Sequence, residues 1–205
     1  METSGSDSVV SAATGRDNVI LHDEPSSEDA GPFRVPTPLI PRELTRKLIT
    51  LVFAIAAITA LVDQLTKWWA IRALGDGRRI EIFGQFLSFR YLRNPGAAFG
   101  IGYGYTWILT IVVIGVILVI IRFLRRIGSR GWAWAFGLLL GGAIGNLIDR
   151  LFRYPGFTHG HVVDFIAYWN WFVGNVADIA IVVAAGLIII LSLKGVGIDG
   201  SIEKD

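Results

Sequence analysis

The chain has no cysteine. That excludes disulfides, zinc–thiolate sites and a thiol nucleophile, and leaves no cysteine of its own to carry a lipid. It has three histidines, one of them in the N-terminal 41 residues, and no HExxH pair. A histidine-based metal centre would have to rest on His159 and His161 with Asp164, a sparse set that makes metal chemistry an unfavoured reading. No GxSxG elbow is present, which removes the usual serine-hydrolase signature. Charge is also scarce, with 18% of residues Asp, Glu, Lys or Arg.

What fills the chain instead is apolar. The hydrophobic share is 53%, with 7 Trp and 12 Phe among 205 residues. Four apolar runs occupy about residues 48–73, 106–121, 132–151 and 173–193. Runs near 20 residues match the roughly 30 Å hydrocarbon core of a bilayer. The expected fold class is an α-helical integral membrane protein with four transmembrane helices. Between the first two runs, Arg78-Arg79-Ile80-Glu81-Ile82-Phe83 and Phe86-Leu87-Ser88-Phe89-Arg90-Tyr91 are β-branched and aromatic, with Gly84 between them. They predict a small sheet outside the bilayer core. Residues 152–172 read as an aromatic connection containing Gly and His.

The net charge of +2 conceals an asymmetry. Residues 1–41 hold seven acids and two bases, and the remainder ten acids and seventeen bases. The first segment is rich in Ser, Asp, Glu, Gly and Pro and reads as a disordered cytoplasmic tail, not a signal peptide. Residues 42–195 form the four-span membrane domain and 196–205 a cytoplasmic C-terminal tail. Arg122, Arg125, Arg126 and Arg130 make the second loop the strongest positive-inside signal. Both termini are then cytoplasmic and the predicted sheet faces outward. Lys67 is expected to snorkel to an interface marked by Trp68-Trp69.

Against this background four aspartates stand out: Asp63, Asp149, Asp164 and Asp178. An ionisable group at membrane depth is costly and by default marks function. Lys47 to Asp63 and Asp178 to Lys194 are each roughly 24 Å of helix, and Arg130 to Asp149 roughly 28 Å, at about 1.5 Å per residue. Alternating chain direction therefore brings these three near the outer interface, and Asp164 lies in the outer connection. Two carboxylates in one low-dielectric site share a proton, which suits general acid–base attack on a peptide bond. Asp164, within His161-Val162-Val163-Asp164-Phe165-Ile166, and Asp178, within Asn175-Val176-Ala177-Asp178-Ile179, make the best pair. The plainer alternative is that each aspartate caps a helix or pairs with Arg150. Which of the two would carry the proton is left open by the sequence.

Further polar groups sit in apolar company. Asn146 lies four residues before Arg150 and shares its helix face. Asp149-Arg150 suggests a structural or substrate-facing network. Gly141, Gly142 and Gly145 permit close helix approach, whether for packing or for a site. Asn94-Pro95-Gly96-Ala97-Ala98-Phe99-Gly100 reads as a tight turn into the second run, with Asn94 able to bond a peptide backbone or only to shape the turn. Other classes compete with a peptidase. A proton-coupled transporter would place charge at the bilayer centre on broken helices, and a scaffold would use the aspartates as helix-end pairs.

Five blocks together resemble lipoprotein signal peptidase, the signal peptidase II family of bacterial membrane aspartic endopeptidases. They are Asp63-Gln64-Leu65-Thr66-Lys67, Asn94-Pro95-Gly96-Ala97-Ala98-Phe99, the stretch from Gly141 to Arg150, Val162-Val163-Asp164-Phe165, and Asn175-Val176-Ala177-Asp178. The resemblance covers about residues 45–195, and five blocks in order on four spans are specific. It implies removal of signal peptides from diacylglyceryl-modified prolipoproteins by cutting before the lipidated cysteine, at the outer face of the bacterial cytoplasmic membrane. It implies Asp164 and Asp178 as the catalytic dyad. Asn94, Gly96, Asn146, Arg150 and Asn175 become substrate-binding or site-ordering residues, and Asp63, Lys67 and Asp149 support them. It further implies a small extracytoplasmic sheet and a short interfacial helix, placed at about 165–172. No cofactor, no metal and no nucleic acid are expected; the partners are prolipoproteins and membrane phospholipids, and the chain is expected to be a monomer. Gly174 stands where the family commonly has an aromatic, and the acidic tail has no counterpart in the family core.

Overall fold

The computed structural model describes residues 40–96 and 105–202. The expected disordered tail, apart from its last two residues, and Ala97 to Gly100 of the turn block lie outside the described residues. Four helices are long and apolar enough to cross a membrane: α1 (Arg42–Leu74), α2 (Thr106–Leu124), α3 (Arg130–Phe152) and α4 (Val176–Leu193). All four runs read from the sequence are therefore helices. α1 starts earlier than its apolar run, with Glu43 in its first turn and Arg72 in its last, charges that complement the helix dipole.

α3 is the central helix. It is the most buried of the four described spans, although it is the least apolar. Glycine explains how it fits. A Cβ on Gly141 would stand 2.6 Å from the Thr59 Cβ and 2.7 Å from the Ala56 carbonyl oxygen of α1. Absence of that carbon lets the two backbones approach closely. Leu48, Val52, Ala56, Trp132, Phe136 and Leu140 fill the rest of this seam. The exposed faces of α2 and α4 carry Ile111, Val112, Leu118, Val119, Val182, Ile189 and Ile190, as lipid-facing surfaces do.

The sheet is larger than the sequence suggests. β1 (Arg79–Phe83) and β2 (Leu87–Asn94) form the expected hairpin, and β3 (Val162–Tyr168) and β4 (Phe172–Gly174) extend it, in the antiparallel order β1-β2-β3-β4. The interfacial helix expected at about 165–172 is not there: those residues are the rest of β3, a turn and β4. The physical reason lies in the composition of the segment. Val162-Val163-Asp164-Phe165-Ile166-Ala167-Tyr168 is β-branched and aromatic and, apart from Tyr168, buried throughout, so it shows no in–out alternation. Ala70, Leu74, Phe165 and Ile166 pack the sheet onto the end of α1, and Trp69 stands edge-on to Phe89 and Phe165 at 5.5 and 6.1 Å.

The C-terminal segment is bonded to the helices. Val196 and Ile202 form a bridge, the Ile198 carbonyl accepts from the backbone N–H groups of Gly128 and Ser129 at 2.9 and 3.2 Å, and the Trp132 Nε1–H donates to the Val196 carbonyl at 2.8 Å. The N–H groups of Ser129, the N-cap of α3, and of Gly128 before it thus find an acceptor far along the chain.

Candidate active site

α4 begins where β4 ends, and its first turn builds half of the site. Asn175 is the N-cap: its side-chain oxygen accepts from the Asp178 N–H at 3.0 Å, while Asp178 Oδ2 accepts from the Asn175 N–H at 3.0 Å. This reciprocal box fixes the Asp178 rotamer. Asp178 is thus not the cap of α4 but the partner at its third position that completes the capping box. Its other oxygen, Oδ1, accepts from Asn146 Nδ2 at 3.0 Å.

Asp164 comes from mid-β3. Its Oδ1 accepts from Asn175 Nδ2 at 2.6 Å and its Oδ2 from Asn94 Nδ2 at 2.8 Å. Antiparallel pairing, with Leu92 opposite Asp164 and Asn94 opposite Val162, brings Asn94 into reach. Asn175 therefore touches both carboxylates, one by its backbone and one by its amide. Burial first, and the Asp178 charge second, push the Asp164 carboxyl up to about 7 against the pull of its two amide donors.

Behind the pair lies an ion cluster. Lys67 Nζ stands 2.8 Å from Asp63 Oδ2 and 2.9 Å from Asp149 Oδ2, and all three side chains are fully buried. The expected snorkelling of Lys67 is overturned: the ammonium turns inward because two carboxylates attract it more strongly than the interface does. Lys67 also donates to Asn146 Oδ1 at 2.9 Å. With that oxygen held, the Asn146 amide nitrogen is left for Asp178. Asp63 Oδ1 accepts from the Ala177 N–H of α4 at 2.9 Å, and Asp149 Oδ2 from the Val163 N–H at 3.0 Å. The cluster thus clamps α4 and β3, the two elements that carry Asp178 and Asp164. Breaking one member of such a buried set costs about 3–5 kcal/mol, because it strands a charge.

A cavity of about 160 Å³ opens at the pair, lined by Asn94, Gly96, Asn146, Arg150, Asp164 and Asp178 with Val113, Val162 and Phe172. Among the described residues Arg150 pairs with none of the aspartates. Its guanidinium donates to the Gly96 carbonyl at 2.8 Å, and its Nε and Nη1 are buried with no partner among the described residues. Buried donors without acceptors are rare. Gly174 leaves space here too, since a Cβ on it would lie 2.9 Å from Asp178 Oδ2.

All ten residues singled out in the sequence are therefore in one connected region. Two were missed. Gln64 Nε2 donates to Asp63, Asp149 and the Gly145 carbonyl, and Arg153 pairs with Asp149 one helical turn away. Their signals were the adjacency of Gln64 to Asp63 and the four-residue spacing from Asp149. His159 and His161 do not join Asp164. The His159 ring meets the Phe157 carbonyl and Thr158, His161 stands edge-on to Tyr154, and among the described residues no group of three His, Asp or Glu could hold a metal ion.

A family profile described as signal peptidase (SPase) II matches residues 55–194. The lipoprotein signal peptidase of Streptomyces griseus is 51% identical over 160 residues, covering 78% of this chain and 81% of that protein. The lipoprotein signal peptidase of Leifsonia xyli is 44% identical over 158 residues, covering 77% and 73%. A bacterial membrane enzyme solved by the in meso method at 1.9 Å resolution superposes with a TM-score of 0.61 at 31% identity, covering 71% of this chain and 94% of its own. A second such enzyme, solved at 2.3 Å, gives 0.58 at 29% identity, covering 77% and 96%. The four apolar helices, the paired carboxylates and the profile that spans both together place this chain in the signal peptidase II family.

Proposed function

We propose that the chain is an aspartic endopeptidase that removes the signal peptide from diacylglyceryl-modified prolipoproteins, with Asp164 and Asp178 as the catalytic pair. The observation that carries this reading is the convergence of two carboxylates from separate elements on one polar cavity, each oriented by asparagine amides. The relatives named lipoprotein signal peptidase supply the substrate class.

In the proposed cycle Asp164 holds the shared proton, in keeping with a carboxyl that titrates at about 7. Asp178 takes a proton from water as its oxygen attacks the scissile carbonyl carbon. Asp164 gives its proton to the carbonyl oxygen, forming a gem-diol. The C–N bond then breaks, the leaving amine takes the proton from Asp178, and Asp164 recovers its own from a hydroxyl. Asn94, Asn146 and Asn175 hold the carboxylates, Gly96 and the Arg150 Nε and Nη1 groups, which have no partner among the described residues, face the substrate backbone, and Asp63, Lys67 and Asp149 order the site. The lipid chains remain in the bilayer while the peptide enters from the side.

The arginine-rich loop between α2 and α3 supports an orientation with both termini cytoplasmic and the sheet and site at the outer face of the cytoplasmic membrane. The reaction needs no cofactor, and the chain acts as a monomer among phospholipids. The decisive experiment is cleavage of a diacylglyceryl-modified prolipoprotein by purified wild type, Asp164→Asn and Asp178→Asn. Both variants keep side-chain shape, so each should insert normally and lose nearly all turnover. Substantial cleavage by either one removes the assignment.

A further inference from the structure

A second cavity, of about 300 Å³, lies between the ends of α1 and α3 and strands β2 and β3, lined by Tyr91, Arg93, Arg153, Tyr154 and His161 beside Phe152. Its volume is at the lower end of small-molecule sites, about 300–1,000 Å³. Among the described residues, none that lines the peptidase cavity lines this one.

The chemistry of the lining is one-sided. It brings together two guanidiniums, an imidazole and two phenols, and no carboxylate is among the described lining residues. Arg153 is partly neutralised, because it pairs with Asp149 and donates to Gln64 Oε1 at 3.3 Å. Asp149 in turn is shared with Lys67. Arg93 has no such compensation among the described residues. Its Nε donates to the Tyr91 hydroxyl at 2.7 Å, and the guanidinium lies 5.8 and 6.0 Å from the Tyr91 and Tyr154 ring centroids. The aromatic rings fix its position and leave its terminal nitrogens for an incoming acceptor. His161 registers the surplus: burial, then Arg93 and Arg150, hold its imidazole below the ordinary histidine range. A planar guanidinium with excess local positive charge matches a phosphate, which accepts paired N–H donors.

Depth selects the source of that phosphate. Phe152 ends α3 and is 77% exposed, and Tyr154 two residues on is 71% exposed. Tyr is enriched at the level of lipid headgroups, where Tyr154 stands just beyond the end of α3.

We propose that this cavity is a phosphate-binding site that holds the headgroup of an anionic glycerophospholipid. The site stands apart from the peptidase reading and would hold even if that reading failed.

The test uses the full chain in detergent with added phosphatidylglycerol or phosphatidylcholine, followed by native mass spectrometry of wild type, Arg93→Gln and Arg93→Lys. Wild type should retain the anionic lipid over the zwitterionic one by about fivefold, the effect of one basic residue at a membrane surface. Arg93→Gln should lose most of that preference, and Arg93→Lys, which keeps the charge, should retain about half or more. A third arm adds millimolar inorganic phosphate. Failure of phosphate to displace the lipid supports the headgroup assignment; displacement keeps the phosphate chemistry and overturns the lipid as its source. Equal retention of both lipids by wild type, or unchanged preference in Arg93→Gln, overturns the site.

Discussion

Asp164 is the residue whose surroundings set the chemistry. It sits in a strand buried on both faces, and its carboxyl titrates at about 7 because burial and the neighbouring Asp178 outweigh the donors Asn94 and Asn175. The proposed cycle needs its proton. Cleavage should therefore fall above pH about 7, by about tenfold per unit, as that proton is lost. A rate that holds steady to pH about 9 would contradict the role. The same shift bears on stability. Between the ordinary carboxyl value of 3.8 and about 7, the native state keeps a proton that the unfolded chain gives up. Stability accordingly falls as pH rises through that window, and the full penalty is present above it. Thermal unfolding in detergent at pH about 5 and about 8 should show a steeper loss for wild type than for Asp164→Asn, which cannot titrate. Equal slopes would mean that Asp164 ionises as it does in the unfolded chain.

At the scale of the element, α3 shows how packing and chemistry share residues. A Cβ on Gly145 would lie 2.6 Å from Asp63 Oδ2, the oxygen that faces Lys67. Gly145→Ala should displace that carboxylate, loosen the Ala177 clamp on α4 and destabilise the protein by about 1–3 kcal/mol. Its turnover in the cleavage assay should drop more than tenfold at a temperature where it stays folded, since a small misplacement of reacting groups costs about 100-fold. Wild-type turnover in Gly145→Ala would show that the glycine serves packing alone. The elements differ in how far they could be read. The four helices were legible because uncharged apolar runs of membrane length seldom form anything but spans. β3 was not, because a strand buried on both faces has neither the alternation of a surface strand nor the length of a span. The aspartates were legible because charge in apolar company is conspicuous. The inward turn of Lys67 was not: a long basic side chain near a helix end reaches water or a buried acid equally well, and only the fold says which is closer. Gln64 and Arg153 were hidden for a similar reason, since ordinary polar residues gain meaning here only from Asp149 beside them.

The whole molecule inverts the usual rule of a soluble core. Its most buried helix is its least apolar, because lipid takes the place of water and the polar groups gather inside. Its orientation is testable by thiol labelling, as no native cysteine interferes. Gly128 is a poor reporter in the arginine-rich loop, since a Cβ there would strike the Asp199 carbonyl oxygen. Arg126 and Glu81 are exposed and serve better. In intact cells, cysteine at Arg126 should resist an impermeant reagent and cysteine at Glu81 should react. The reverse pattern would put the site on the wrong side of the membrane for a substrate cleaved after translocation. The contact at Gly128 also has a bearing on the order of assembly. Residues 196–202 leave the ribosome after the four described spans, yet they supply the carbonyl groups that accept from Gly128 and Ser129, just before α3, and from the indole of Trp132. During synthesis those donors can bond only water until the C-terminal segment arrives, and a nascent chain stalled soon after α4 would hold all four helices while the loop between α2 and α3 was still open.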